Sequence, residues 1–562
     1  MWKPGARNLK VILAVTAILV AGFYVLSYLQ MNFSDTDNFA NFTEPADSDF
    51  PDFVRADAES GIKMNSTHAA TDFVGHSGVY VRDFNRDGWE DVLGVNGNKA
   101  VLFENKGGEF EKTGYLSGYT NIASAHFFDY DNSGYEDLLL LRSNDEPVLL
   151  KNQVGEGFEQ VDAGFDQQLT RPYGAASADY NQDGCLDVFI VQWGGNALYN
   201  EAQRVHDHHP DYRPTAETSY PNYFYEGDCE SFEKANRKAN IGGERYFTFT
   251  ASFTDFSGNG YPDIYMPNDF GRDIFYRNNG NGSFTPTEIG PASDRNAMSS
   301  ETGFFNDDSR PDIFVTNVYY PENFTEKHEK QLVGDNVPLP YGNNLFINTE
   351  EGFNDQAREY GVRKGGWGWA STFSDFSNNG RQSIVHSTDN RYYDYTAPKL
   401  YRRSSIFERT GNGTFRKLNS SRHGMEIDAD RGISKIDFNS DGRLDLIKST
   451  QQRTQYAEEQ IKLYENTNAS VSFLQLVPGV HGIPTNTEVV LNSSEGIQRR
   501  LVNSRSDFMS QESQMVHFGL TGDPRSVTLI YPSGDELKFD SVEPNRRYMI
   551  NTEQESIEVV EQ

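Results

Sequence analysis

Asp83-Phe-Asn-Arg-Asp-Gly-Trp-Glu-Asp91 decides how this chain is read. Oxygen-bearing side chains stand at positions 1, 3, 5 and 9, and glycine at position 6 lets the backbone turn sharply with φ > 0. A hard cation such as Ca²⁺ takes about six to eight oxygens from carboxylates, carbonyls and water. The first half therefore imitates an EF-hand loop. Strand-like residues follow it, however, and no glutamate stands at position 12, so helix–loop–helix is disfavoured.

The pattern recurs as Asp129-Tyr-Asp-Asn-Ser-Gly-Tyr-Glu-Asp137, Asp179-Tyr-Asn-Gln-Asp-Gly-Cys-Leu-Asp187 and Asp255-Phe-Ser-Gly-Asn-Gly-Tyr-Pro-Asp263. Three more copies begin at Phe304, Asp375 and Asp437. Positions 1, 3, 5 and 9 nominate calcium ligands. They are Asp83, Asn85, Asp87 and Asp91 in the first loop, Asp129, Asp131, Ser133 and Asp137 in the second, and Asp179, Asn181, Asp183 and Asp187 in the third. The seventh offers Asp437, Asn439, Asp441 and Asp445, and the fourth, with fewer carboxylates, Asp255, Ser257, Asn259 and Asp263. The fifth has Phe304 at position 1 and the sixth Ser383 at position 9, so both read as structural turns. Asp, Asn and Gly also form ordinary polar turns. Identical spacing in the four fuller copies favours calcium.

Short apolar runs such as Val188-Phe-Ile-Val191 follow the loops and have the composition of buried strands. Downstream comes a second signal, an aromatic-aliphatic pair, an Asn, a Gly turn and a Phe, as in Leu102-Phe103, Asn105 and Phe110 or in Phe275-Tyr276, Asn278 and Phe284. Each unit supplies about four strands, and the spacing of the loops approaches that of propeller blades carrying insertions. The expected fold is all-β: a seven-bladed β-propeller over 53–470, a small C-terminal β domain over 471–562 and one N-terminal transmembrane helix. A strand between Phe53 and Ile62 is expected to complete the last blade and remove a free sheet edge.

The loops resemble the FG-GAP or VCBS-type repeats of integrin α-subunit propellers and bacterial surface proteins. Asn268-Asp-Phe-Gly271 and Trp367-Gly-Trp369 narrow the resemblance towards the cartilage acidic protein family. Phe473-Leu-Gln-Leu476, Ser510-Gln511, His517-Phe-Gly-Leu520 and Tyr531-Pro-Ser-Gly534 are similar to the ASPIC/UnbV domain that follows the propeller in that family. Gly482-Ile-Pro-Thr-Asn486 departs from the family's Gly-Ile-Gly-Ala-like turn. The resemblance implies calcium binding, an extracytoplasmic location and a role in adhesion or assembly, and it implies no catalytic residues.

Lys3, Arg7 and Lys10 precede Val11 to Leu29, an uncharged run long enough to span hydrocarbon as a helix. Residues 1–10 are then a cytoplasmic tail, 11–29 a membrane anchor and 30–52 a flexible stalk, with the body outside the cytoplasm. With 82 acidic and 50 basic residues the chain would repel phosphate backbones, which excludes nucleic acid as a partner. Cys185 and Cys229 are the only cysteines. An oxidising compartment permits one bridge between them, and nothing in the sequence fixes their separation.

His206-Asp-His-His209 reads as a solvated loop rather than a metal cluster. Trp193, Trp367 and Trp369 suit blade packing, with a carbohydrate-binding face as the alternative. No nucleophile elbow, zinc helix or phosphate-binding loop occurs. The expected function is a calcium-binding scaffold that presents an unidentified protein or glycan ligand site. An enzyme or biosynthetic accessory factor acting on a glycan, peptide or natural product is the alternative.

Overall fold

The computed structural model describes residues 48–64, 76–194, 219–241, 246–269, 271–287, 289, 296–319, 342–388, 404–426, 430–450, 460–467, 472–479, 484–502 and 506–560. The expected anchor at 11–29, most of the stalk and the His206–His209 cluster lie outside them. Among the described residues no helix is long and apolar enough to cross a membrane. Among the described residues one short 3-10 turn, Ser420–His423, accompanies a fold otherwise built from strands, and the fold is all-β.

Each aspartate loop joins the first and second strands of a four-stranded antiparallel sheet. In the first sheet these strands are Gly78–Arg82, Asp91–Val95, Ala100–Asn105 and Phe110–Lys112. Six further sheets repeat the plan, with first strands Ile122–Phe128, Pro172–Ala178, Ser252–Thr254, Ser299–Gly303, Gly368–Ser374 and Asp430–Ile436. Position 9 of every loop is the first residue of a second strand, and the downstream Asn closes a third, as at Asn105, Asn152 and Asn278.

The seventh sheet takes its fourth strand from the other end of the chain. Phe53–Arg55 pairs with Ile461–Asn466, as the sequence anticipates. The first strands of the seven sheets pack side by side in chain order, and that of the seventh lies against that of the first. Strands such as Asp91–Val95 are buried along their whole length. A strand covered on both faces needs no polar alternation, which is why the sequence shows unbroken apolar runs here.

The C-terminal region forms two more sheets around its own core of Leu474, Val489, Phe518, Leu529 and Ile550. A hairpin, Ser506–Asp507 with Ser510–Gln511, leaves this module and inserts where the first strands converge. Val79 N donates to Met509 O (3.0 Å), and the Gln511 side chain accepts from Phe127 N (2.8 Å) and donates to Phe127 O (2.9 Å). Asp507 accepts from Ser371 N (2.8 Å). Phe508 packs against Tyr173, Phe249 and Trp369 in the central core. Trp193 and Trp369 are buried in that core, which settles them as packing residues.

Candidate functional site

In the first loop the carboxylates at positions 1 and 9 hold the backbone in shape. Asp83 accepts from Asp87 N (3.1 Å) and Gly88 N (2.9 Å), while Asp91 accepts from Phe84 N (3.1 Å) and, across the sheet, from Asn105 N (2.8 Å). The second and third loops repeat this. Asp129 accepts from Ser133 N and Gly134 N, and Asp137 from Tyr130 N and Asn152 N. Asp179 accepts from Asp183 N and Gly184 N, and Asp187 from Tyr180 N and Gly227 N.

The turn that gathers these donors has two left-handed residues. Gly88 (φ 88°) was legible, but position 4 is left-handed too: Arg86 (58°), Asn132 (54°) and Gln182 (60°) carry no glycine to mark it. A left-handed non-glycine residue is sparsely populated and persists only where its surroundings over-determine it. The paired hydrogen bonds to position 1 do that here.

The geometry buries acids without enough compensating charge. Burial, with a push from neighbouring carboxylates, raises Asp83 to about 7 and Asp129 to about 6. The same causes bring Asp137 and Asp187 to about 8. A cation placed among such groups removes the repulsion and lets them ionise. In the second loop, one oxygen each from Asp129, Asp131 and Asp137 lies within 4.8 Å of the others, close enough to share one metal ion. Burial opposes ionisation of Asp131, but hydrogen bonds from Lys151 and Ser133 keep it below the usual carboxylate range.

The other nominated residues are placed less uniformly. In the first and third loops, Asn85 and Asn181 donate to the position-5 carboxylates of Asp87 and Asp183 (3.0 and 2.8 Å). In the fourth, Asp255 accepts from Asn259 N and Gly260 N, while the Ser257 hydroxyl turns to Asp263 (3.3 Å). In the seventh, Asp441 accepts from Arg443 (2.6 Å) and Asn439 donates to Glu465 (3.4 Å). Asp445 accepts from Phe438 N and Asn466 N, and Asp437 from Arg547 (2.7 Å). The fifth loop lacks the position-1 acid, and in the sixth Ser383 Oγ accepts the Arg409 N–H (3.2 Å) in place of the missing carboxylate.

Sequence reading missed the job of the asparagine that ends the third strand. Asn152 donates to Glu136 O in its own sheet and to Phe84 O in the preceding loop, both at 2.9 Å. Asn278 reaches Tyr180 O, Asn348 reaches Phe256 O and Asn466 reaches Phe376 O. Asn105 reaches Phe438 O, which ties the first sheet to the seventh. The third sheet has Gly227 at this position. That sheet carries the disulfide instead: Cys185 in its loop is bonded to Cys229, with Cα atoms 5.1 Å apart.

A cleft of about 800 Å³ opens between the second and third loops and the C-terminal module. Asp129, Asp179 and Gln182 line one wall, and Asn486, Tyr531 and Pro532 the other. Asn486 lies in the turn that departs from the family pattern. It is 9% exposed, and its Oδ1 has no hydrogen-bond partner among the described residues. Ser177 also reaches the cleft and lies 3.0 Å from His126 Nε2. Burial holds that imidazole down to about 3, with Arg82 adding to it, so it is too weak a base to activate the hydroxyl at neutral pH.

Comparison with known families matches residues 83–140 and 255–315 to the FG-GAP-like repeat, and 481–557 to ASPIC and UnbV. No curated protein matches the chain. Among solved structures, it is similar at 10% identity to the biofilm matrix protein of V. cholerae, covering 87% of this chain and 76% of that one, with a TM-score of 0.30. An exotype rhamnogalacturonan lyase (10% identity, 73% and 75% covered, TM-score 0.36) and a fungal alcohol oxidase in complex with copper (10%, 84% and 100%, 0.38) are also similar. The chain thus carries FG-GAP-like repeats followed by a C-terminal ASPIC and UnbV domain.

Proposed function

We propose that the chain is a calcium-binding, seven-bladed β-propeller, anchored in a membrane by residues 11–29, whose C-terminal domain and loop face together bind a glycan outside the cytoplasm. The cleft is the observation that carries this reading. At about 800 Å³ it is the size of a small-molecule site. Asn132, Gln182, Asn486, Gln514, Thr485 and Tyr531 offer it amides and hydroxyls, which suit a neutral ligand rich in hydroxyl groups. The buried Asn486 Oδ1 supplies an acceptor for one of those hydroxyls, whereas leaving it unmade is costly.

Calcium would stiffen the wall that carries Asp129 and Asp179. Asp129, Asp131 and Asp137 would hold one ion, and the first and third loops the others, each ion supplying positive charge to buried carboxylates. The Cys185–Cys229 bond fits an oxidising compartment, and Lys3, Arg7 and Lys10 ahead of the apolar run support a cytoplasmic N-terminus.

The test is a glycan array probed with the full-length chain in detergent, in calcium and in chelator. Binding to a defined glycan set should be lost in chelator and weakened about tenfold or more by Asn486→Ala, as for a buried acceptor that loses its partner. An array without calcium-dependent signal would remove the glycan reading.

A further inference from the structure

The seventh loop differs from the first three in what meets its position-1 carboxylate. Among the described residues, Asp83, Asp129 and Asp179 accept hydrogen bonds from their own loops only. Asp437 is wholly buried, and its Oδ2 accepts from Gly442 N (3.1 Å), Gln475 Nε2 (2.8 Å) and Arg547 Nη2 (2.7 Å). Gln475 and Arg547 both belong to the C-terminal domain. A carboxylate oxygen has about two lone pairs, so three donors leave Oδ2 nothing to offer a metal ion, and only Oδ1, which accepts from Asp441 N (3.1 Å), keeps a lone pair. The guanidinium also brings a permanent positive charge to the place where the ion's charge would be needed.

Arg547 does more than neutralise Asp437. It is 6% exposed and spans the seam between the last and first sheets: Nη1 donates to Ser440 Oγ (2.6 Å) in the seventh loop and to Gly88 O (3.2 Å) in the first. Nε donates to Gln475 Oε1 (2.8 Å), which fixes the plane of the guanidinium. Beside it, Glu90 of the first loop accepts from Asp437 N (2.9 Å) and from the Ser513 hydroxyl of the C-terminal domain. The seam is therefore held by side chains from three parts of the chain. Breaking such a buried, hydrogen-bonded pair from one side strands the other charge.

We infer that the seventh loop is not a calcium site: Arg547 supplies its cation and so clamps the C-terminal domain across the seam that closes the ring. The contrast with the first three loops rests on the calcium reading above, whereas the clamp does not.

Equilibrium dialysis of the full-length chain in detergent against radioactive calcium counts bound ions. Asp437→Asn should bind as many as wild type, while Asp179→Asn binds one fewer. Asp441→Asn, a half-buried position 5 in the seventh loop, should also keep the wild-type count if Asp437→Asn folds poorly. Limited proteolysis at saturating calcium reads the clamp. The C-terminal domain should be released about tenfold faster from Arg547→Gln than from wild type, as expected when local opening becomes easier, and at an intermediate rate from Arg547→Lys. Loss of one calcium ion in Asp437→Asn or Asp441→Asn, or wild-type protease resistance in Arg547→Gln, would overturn the inference. If wild type binds no calcium at all, the calcium reading falls and proteolysis alone decides the clamp.

Discussion

His386 shows what one buried side chain costs when it keeps no partner. It is wholly buried, and neither ring nitrogen has a hydrogen-bond partner among the described residues. Burial holds it down to about 3, with Lys417 adding to it, against an ordinary value of about 6.5. A base depressed in the folded state is protonated first in the unfolded chain. Its contribution to stability is therefore complete above pH ~6.5 and declines as pH falls towards 3. Between pH 7 and pH 5 wild type should lose about 2 kcal/mol that His386→Leu does not lose. Denaturant unfolding of both proteins at the two pH values measures this, and equal losses would contradict it. At this scale the sequence was informative where residue type decides the job: oxygen ligands at alternating positions and glycine at position 6. Arg86 and Asn132 at position 4 were silent, because a left-handed conformation forced by neighbours leaves no compositional mark. Arg547 was silent for another reason, since its partner Asp437 lies 110 residues away.

The element that repeats is a loop, a strand pair and the asparagine that ties them to the preceding sheet. The loops and the strands after them were legible because apolar runs follow aspartate turns at fixed spacing. The closing strand Phe53–Arg55 was also legible, because the last repeat lacked its fourth strand. The clasp was not, since the acceptor of Asn105 lies 333 residues away and belongs to another sheet. Asn152→Ala removes two hydrogen bonds to buried carbonyls, Phe84 O and Glu136 O, and one from Gly155 N. At about 1 kcal/mol for each bond, the chain should lose about 2–3 kcal/mol. The unfolding midpoint of Asn152→Ala reads this directly. A loss below about 0.5 kcal/mol would mean that the asparagine is a turn residue and no clasp.

At the scale of the whole molecule, the C-terminal domain is tied to the repeat sheets by the hairpin that it inserts among their first strands. The sequence marked it as a separate β module, and its two sheets and core agree with that. The inserted hairpin escaped notice because Phe508 and Met509 look like any short apolar pair until Trp369 and Phe249 are seen around them. Phe508→Ala should cost about 3–5 kcal/mol, the usual loss for truncating a buried aromatic residue. It should also lower the unfolding of ring and C-terminal domain together, where an independent appendage would leave the ring's transition unmoved.

Metal held by the aspartate loops is the central claim. Crystals of the soluble body grown in calcium, with diffraction collected at a wavelength where calcium scatters anomalously, test this most directly. The predicted result is an anomalous peak among Asp129, Asp131 and Asp137, with further peaks in the first and third loops and none beside Asp437. A difference map without a peak at Asp129, Asp131 and Asp137 in saturating calcium would contradict the account.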